Sequence, residues 1–227
     1  MFVHVPSRRR PSPSWATPLL VVACMAVFVW LAVGDGAERS RFLLRWGTVP
    51  ETLIPASNFI EMLRGGRTLT LLTAIFVHAD WLHLAGNLLF LMIFGVPAER
   101  ALGPWRLLLL FLVCGGLANL AAAISLHDSH TAVIVGASGA ISGVIGAYLA
   151  LFPQAHLGIV LPLGVFLEFV RAPASLLIAI WALLQFAFTW IGPAFGAVAW
   201  WAHLAGFVLG VVMALLWRPA VAKRLRR

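Results

Sequence analysis

Six stretches of mostly apolar residues, each near the length of about 20 that carries a helix across a bilayer, dominate this chain. They lie near Trp15–Val33, Leu82–Val96 (extended upstream through the apolar residues after Leu69), Leu107–Ile124, Val133–Phe152, Ala174–Trp190 and Val198–Trp217. Charged residues are only 11% of the 227, and the mean hydropathy is +0.97. A soluble domain carries about 25% charged residues. So few charges cannot cover a water-facing surface, and lipid must be the solvent for much of the chain. The expected fold class is therefore all-α, a polytopic membrane protein built as a six-helix bundle.

The net charge of +8 is informative through its placement. Arg8, Arg9 and Arg10 precede the first apolar run, and Lys223, Arg224, Arg226 and Arg227 follow the last. Basic flanks mark the cytoplasmic side, so both ends are expected there and the number of spans is even. Arg100, Arg106 and Arg171 fall in connections that this arrangement also assigns to the cytoplasm. Because each basic cluster flanks a span, nucleic acid is not an expected partner. The expected organisation is a basic segment over 1–14, a membrane domain over 15–217 and a basic tail over 218–227. The first apolar run is read as a retained helix, not a cleaved signal. Cys24 and Cys114 sit inside apolar runs and read as packing residues.

Two segments fall outside the six spans. Gly158–Val170 is apolar but interrupted by Pro162 and Gly164, and reads as interfacial or as an extension of a neighbouring helix. The long first connection, about Gly34 to Thr68, holds Asn58 and Glu61 at capping-box spacing and a stop at Gly65-Gly66. Between them Phe59, Ile60, Met62 and Leu63 suggest a short amphipathic helix.

Polar groups inside spans are costly and point to function. Four stand out: His83, Asn87, Ser138 and His203. With both ends inside, the second, fourth and sixth spans all enter from outside. All four residues then lie in one layer, about 10 Å below the outer surface at 1.5 Å rise per residue. His83 and Asn87 are spaced i, i+4 and share a helical face. Gly136, Gly139, Gly143 and Gly146 bare one face of the fourth span, and Gly206 and Gly210 form GxxxG in the sixth. Such faces let helix backbones meet closely in lipid; alone they would indicate only a packing seam.

These residues resemble the motifs of rhomboid intramembrane serine proteases. The matching segments are His78-Ala-Asp-Trp-Leu-His83-Leu-Ala-Gly-Asn87, Gly136-Ala-Ser138-Gly139, and Ala202-His203-Leu-Ala-Gly206 followed by Gly210. They span about Leu71 to Leu216, in order, on alternate spans. The resemblance implies a rhomboid-like six-helix bundle with a water-filled cavity open to the outside, and peptide-bond cleavage in or beside a substrate's transmembrane segment. Two positions depart from the family pattern. The first-loop Trp-Arg pair falls at Leu69-Thr70, and the aromatic four residues after the serine is Ser142.

In this reading Ser138 is the nucleophile and His203 its base, since a serine hydroxyl needs a base within hydrogen-bond reach. No carboxylate is placed to orient His203, so a dyad is expected. The Ser138 backbone N–H and the side chains of His83 and Asn87 are the expected oxyanion donors, although both side chains could instead be packing polar groups. His78 reads as a loop anchor without a catalytic role. Glu99 reads as a partner of cytoplasmic bases or as a helix cap. His127, Asp128 and His130 read as solvated loop residues, and no metal or cofactor is expected. Expected partners are single-span transmembrane protein substrates and membrane lipid, at the inner (cell) membrane of a bacterium. Competing readings are a catalytically inactive rhomboid-like scaffold that binds membrane proteins, a bis-histidine haem carrier using His83 and His203, and a transporter. The scaffold would lack the serine or the histidine, the glycine seam leaves little room for haem, and no paired repeats suggest transport.

Overall fold

A computed structural model describes residues 14–53, 67–163, 166–191 and 200–226. In chain order the main elements are α1 (Ala16–Val33), α2 (Gly36–Trp46), α3 (Trp81–Leu102), α4 (Pro104–Ser125), α5 (Ser138–Leu151), the strands β1 (His156–Leu163) and β2 (Phe166–Pro173), α6 (Ala174–Ile191) and α7 (Trp200–Arg226). Among the described residues α1, α3, α4, α6 and α7 are long and apolar enough to cross a membrane, and α5 is a shorter apolar helix. The fold is thus an all-α polytopic bundle. A short helical run over Arg67–Phe76 precedes α3.

The first helix is fixed to the second span by a buried carboxylate. The N-terminal N–H groups of a helix have no intrahelical acceptor. Here Glu99, only 1% exposed near the end of α3, accepts from the Ala16 and Thr17 N–H groups at 2.8 and 2.9 Å and from the Thr17 hydroxyl at 2.6 Å. The negative charge also complements the positive end of the α1 dipole. Of its two sequence readings, Glu99 takes that of a cap.

The centre of the bundle is α5, whose residues Gly139 through Tyr148 are all buried. Its glycines are the reason it can sit there. A Cβ at Gly206 would overlap the Gly139 carbonyl, one at Gly210 the Gly143 carbonyl, and one at Gly146 the Phe207 carbonyl. Helices α5 and α7 therefore run side by side in the same direction, backbone against backbone. On another side Ala118 and Cys114 of α4 fill the spaces beside Gly139 and Gly143.

Four segments differ from the sequence expectation. The fourth span was expected from about Val133, but α5 starts at Ser138. Gly136 has φ +112, which a right-handed helix cannot contain, and Ile134 is bridged in extended form to Thr48. Gly136 thus belongs to the turn before the helix and not to its bare face. At about 1.5 Å per residue, the 14 residues of α5 rise about 21 Å, less than the roughly 30 Å of a bilayer core. Second, Gly158–Val170 extends no helix: it lies within an antiparallel hairpin, pairing His156 with Pro173 through Leu163 with Phe166. Its β-branched and aromatic content favours strands. Third, the first connection contains α2, whose Asp35 side chain accepts from the Glu38 N–H at 2.7 Å. The Asp35/Glu38 pair is a second capping signature, passed over in favour of Asn58 and Glu61. That pair, with Phe59, Ile60, Met62, Leu63, Gly65 and Gly66, lies outside the described residues. Helix α7 also continues past Trp217, through Pro219, to Arg226.

Two stability outcomes follow. Glu99→Ala strands three buried donors and should cost about 3 kcal/mol, read as a lower Tm of the detergent-solubilised protein. Gly210→Val forces α7 away from α5 and should cost about 3 kcal/mol, the upper end for overpacking, by the same measurement.

Candidate active site

Ser138 is presented by the turn that starts α5. As first residue of the helix, its backbone N–H has no intrahelical acceptor and points, with the positive helix end, beyond the helix terminus. Its Oγ lies 2.9 Å from Nε2 of His203, which stands on the first turn of α7, one turn before Gly206. The close α5–α7 seam sets this distance, because the glycine contacts hold the turn of α7 that carries His203 beside the first turn of α5.

The other imidazole nitrogen is also engaged. His203 Nδ1 lies 2.6 Å from Oε1 of Gln185 on α6, and the Trp200 ring stands edge-on to His203 with centroids 6.0 Å apart. Sequence reasoning passed over Gln185, although an amide inside an apolar span was the available signal. At the position four residues after the serine, Ser142 donates to the Ser138 carbonyl at 2.7 Å. It holds the first turn of α5, and the aromatic beside His203 comes from α7.

His83 and Asn87 enter from α3, whose start is capped by Asp80 accepting from the His83 N–H at 2.8 Å. The His83 ring lies where a side chain on residue 136 would be: a Cβ at Gly136 would stand 2.6 Å from its Cε1 and Nε2. Asn87 donates one amide hydrogen to the His83 carbonyl at 2.9 Å, which fixes the carboxamide and leaves its second hydrogen for another acceptor. His83, Asn87, Ser138 and His203 line one cavity of about 270 Å³. Its apolar walls include Phe90, Ile141, Ile145 and Trp181.

Behind this layer lies His78, fully buried. Its Nε2 accepts from the Ala137 N–H at 3.4 Å, so Nδ1 carries the proton and donates to the Phe76 carbonyl at 3.3 Å. His78 thereby anchors the turn next to Ser138 as well as its own loop. The described part of the first loop is held by side-chain to backbone hydrogen bonds. Thr48 donates to the Thr70 carbonyl at 2.9 Å, Thr73 to that of Trp46 at 2.7 Å and Asn119 to that of Leu71 at 2.8 Å. Arg39 reaches the Ala79 carbonyl from α2. The loop histidines pair separately, His127 with Asp128 at 3.0 Å and His130 with Glu51 at 3.4 Å, all on exposed side chains.

The chain can be compared with known proteins on this footing. Residues 65–220 match the Rhomboid domain model. RHOMBOID-like protein 6, mitochondrial, from Arabidopsis thaliana is 29% identical over 160 residues, covering 60% of this chain and 51% of that protein. Rhomboid protease GluP of Bacillus subtilis (strain 168) is 32% identical over 134 residues, covering 59% of this chain and 24% of that protein. Putative rhomboid protease YdcA from the same organism is 38% identical over 79 residues, covering 35% and 39%. The chain thus spans about half the length, or less, of these curated relatives. The family model covers well over half of the chain and includes every residue that lines the cavity, and on that ground this integral membrane protein belongs to the rhomboid family.

Proposed function

We propose that this chain is an intramembrane serine endopeptidase that cleaves single-span transmembrane substrates with Ser138 as nucleophile and His203 as base. The observation that carries the reading is the 2.9 Å contact between Ser138 Oγ and His203 Nε2 at the mouth of a helix N-terminus. Such a pair supplies what amide hydrolysis requires. Ser138 Oγ attacks the scissile carbonyl carbon while its proton passes to His203 Nε2. The tetrahedral intermediate collapses as His203 returns that proton to the leaving nitrogen, giving an acyl-enzyme and the first product. Water, deprotonated by His203, then attacks the ester, and the second product leaves with Ser138 reprotonated.

The developing oxyanion needs donors that are in place beforehand. The Ser138 N–H, the free amide hydrogen of Asn87 and the His83 ring are the groups we assign to it. The motif match with the family supports the assignment, as does their sharing of one cavity. The name of the bacterial relative GluP, a rhomboid protease, supports the reaction class. We place the chain in the cell membrane of a bacterium; the basic flanks support both ends cytoplasmic and the cavity facing outward, with α5 as the fourth, shortened span.

Ser138→Ala should fold and lose cleavage of a single-span model substrate in proteoliposomes; retained cleavage would remove Ser138 from the mechanism. A fluorophosphonate probe should label Ser138 in the parent protein and fail to do so in His203→Ala. Asn87→Ala should lower kcat by about 10²–10³, the usual loss for one oxyanion donor, with little change in KM.

A further inference from the structure

We propose that Gln185 is a positioning residue for the base: its side-chain oxygen accepts the Nδ1 proton of His203 and thereby turns the Nε2 lone pair toward Ser138. The inference rests on the serine-protease reading above and adds a third member to the expected pair. The contacts run in a line, Gln185 Oε1 to Nδ1 at 2.6 Å and Nε2 to Ser138 Oγ at 2.9 Å. A neutral imidazole carries one proton. An acceptor at Nδ1 holds it there, so Nε2 is left to take the serine proton. Without that acceptor the proton can reside on Nε2, and the ring is then no base for Ser138.

The placement of Gln185 on its helix is independent support. Helix α6 is anchored by Ala174 and Ile178, its buried residues, and by Trp181, whose ring lies 5.9 Å from that of Phe207 on α7. Residues 174, 178, 181 and 185 are spaced by four, three and four, one stripe of a helix. Gln185 continues this inward stripe at the height of the cavity, where an apolar residue would suffice for packing. Of the titratable side chains, the described cavity lining holds His83 and His203, so among the described residues no carboxylate there competes for the orienting role. A neutral amide fixes the ring without adding a charge to the membrane interior, where an isolated carboxylate would be costly.

The test compares Gln185→Met, a near-isostere without the acceptor, with Gln185→Glu, which keeps an acceptor oxygen and removes the amide donor. Each is assayed in proteoliposomes beside Ser138→Ala, with Tm recorded for all. Gln185→Met should lower kcat on the order of 10- to 100-fold, within what a positioned acid–base group contributes, and slow fluorophosphonate labelling of Ser138, with KM nearly unchanged. Gln185→Glu should keep kcat within about threefold of the parent, since only the ground-to-transition-state difference is read in kcat. Parent-like kcat in Gln185→Met overturns the proposal, as does a Gln185→Glu variant that folds but is as slow as Gln185→Met. If Gln185→Met does not fold, Gln185→Glu decides alone: a folded variant whose kcat falls tenfold or more below the parent overturns the proposal. Continued cleavage by Ser138→Ala would instead overturn the protease reading itself.

Discussion

The backbone-to-backbone seam between α5 and α7 is the constraint on which the candidate site depends. Gly139 and Gly143 meet Gly206 and Gly210 so closely that no side chain fits between them. In lipid there is no hydrophobic gain from burying one apolar surface against another, so close packing must hold the helices together. The seam does more than hold. It sets the level of α7 against α5, and with it the height of His203 relative to Ser138. A site whose two reacting atoms come from helices 65 residues apart in sequence needs such a register device, because a slide of one residue would move one atom about 1.5 Å past the other.

The shortness of α5 is the second structural idea. A helix that ends inside the hydrocarbon exposes unpaired N–H groups, which is tolerated only where other protein groups or water meet them. Here the residues before it turn at Gly136, and the Ala137 N–H is met by His78. The cavity lies beside the first two turns of α5, against Ser138, Ile141, Ser142 and Ile145. His83 occupies the space that Gly136 leaves empty. Surrounding anchors serve this arrangement: Asp80 starts α3, Glu99 ties α1 to its far end, and Thr48, Thr73 and Asn119 fix the first loop.

Much of this was legible in the chain. The spans near Trp15–Val33 and Ala174–Trp190 correspond to α1 and α6 within a residue, because length and apolarity are sufficient signals in a bilayer. The four polar intruders were visible for the complementary reason, that polarity in a span stands out. The hairpin after α5 was not legible, since a short apolar run with Pro and Gly fits several interfacial structures. The start of α5 was misplaced because Val133 and Ile134 look as apolar as the helix that follows, and only the positive φ of Gly136 separates them. Gln185 was not legible as an orienting group because it is a neutral amide, and its place beside Nδ1 of His203 depends on how α6 packs against α7.

By itself, then, the order of residues determined a membrane-embedded helical bundle, the alternate spans that carry the candidate residues, and the glycine faces that pack. Those are consequences of composition and helical period, which act locally. Tertiary structure decided which atoms meet: that Glu99 caps α1, that His78 reaches Ala137, that Gln185 faces Nδ1 of His203. Each of these joins groups from separate elements, and their distances depend on how deep and at what rotation the helices pack, a property of the whole bundle that no single span encodes.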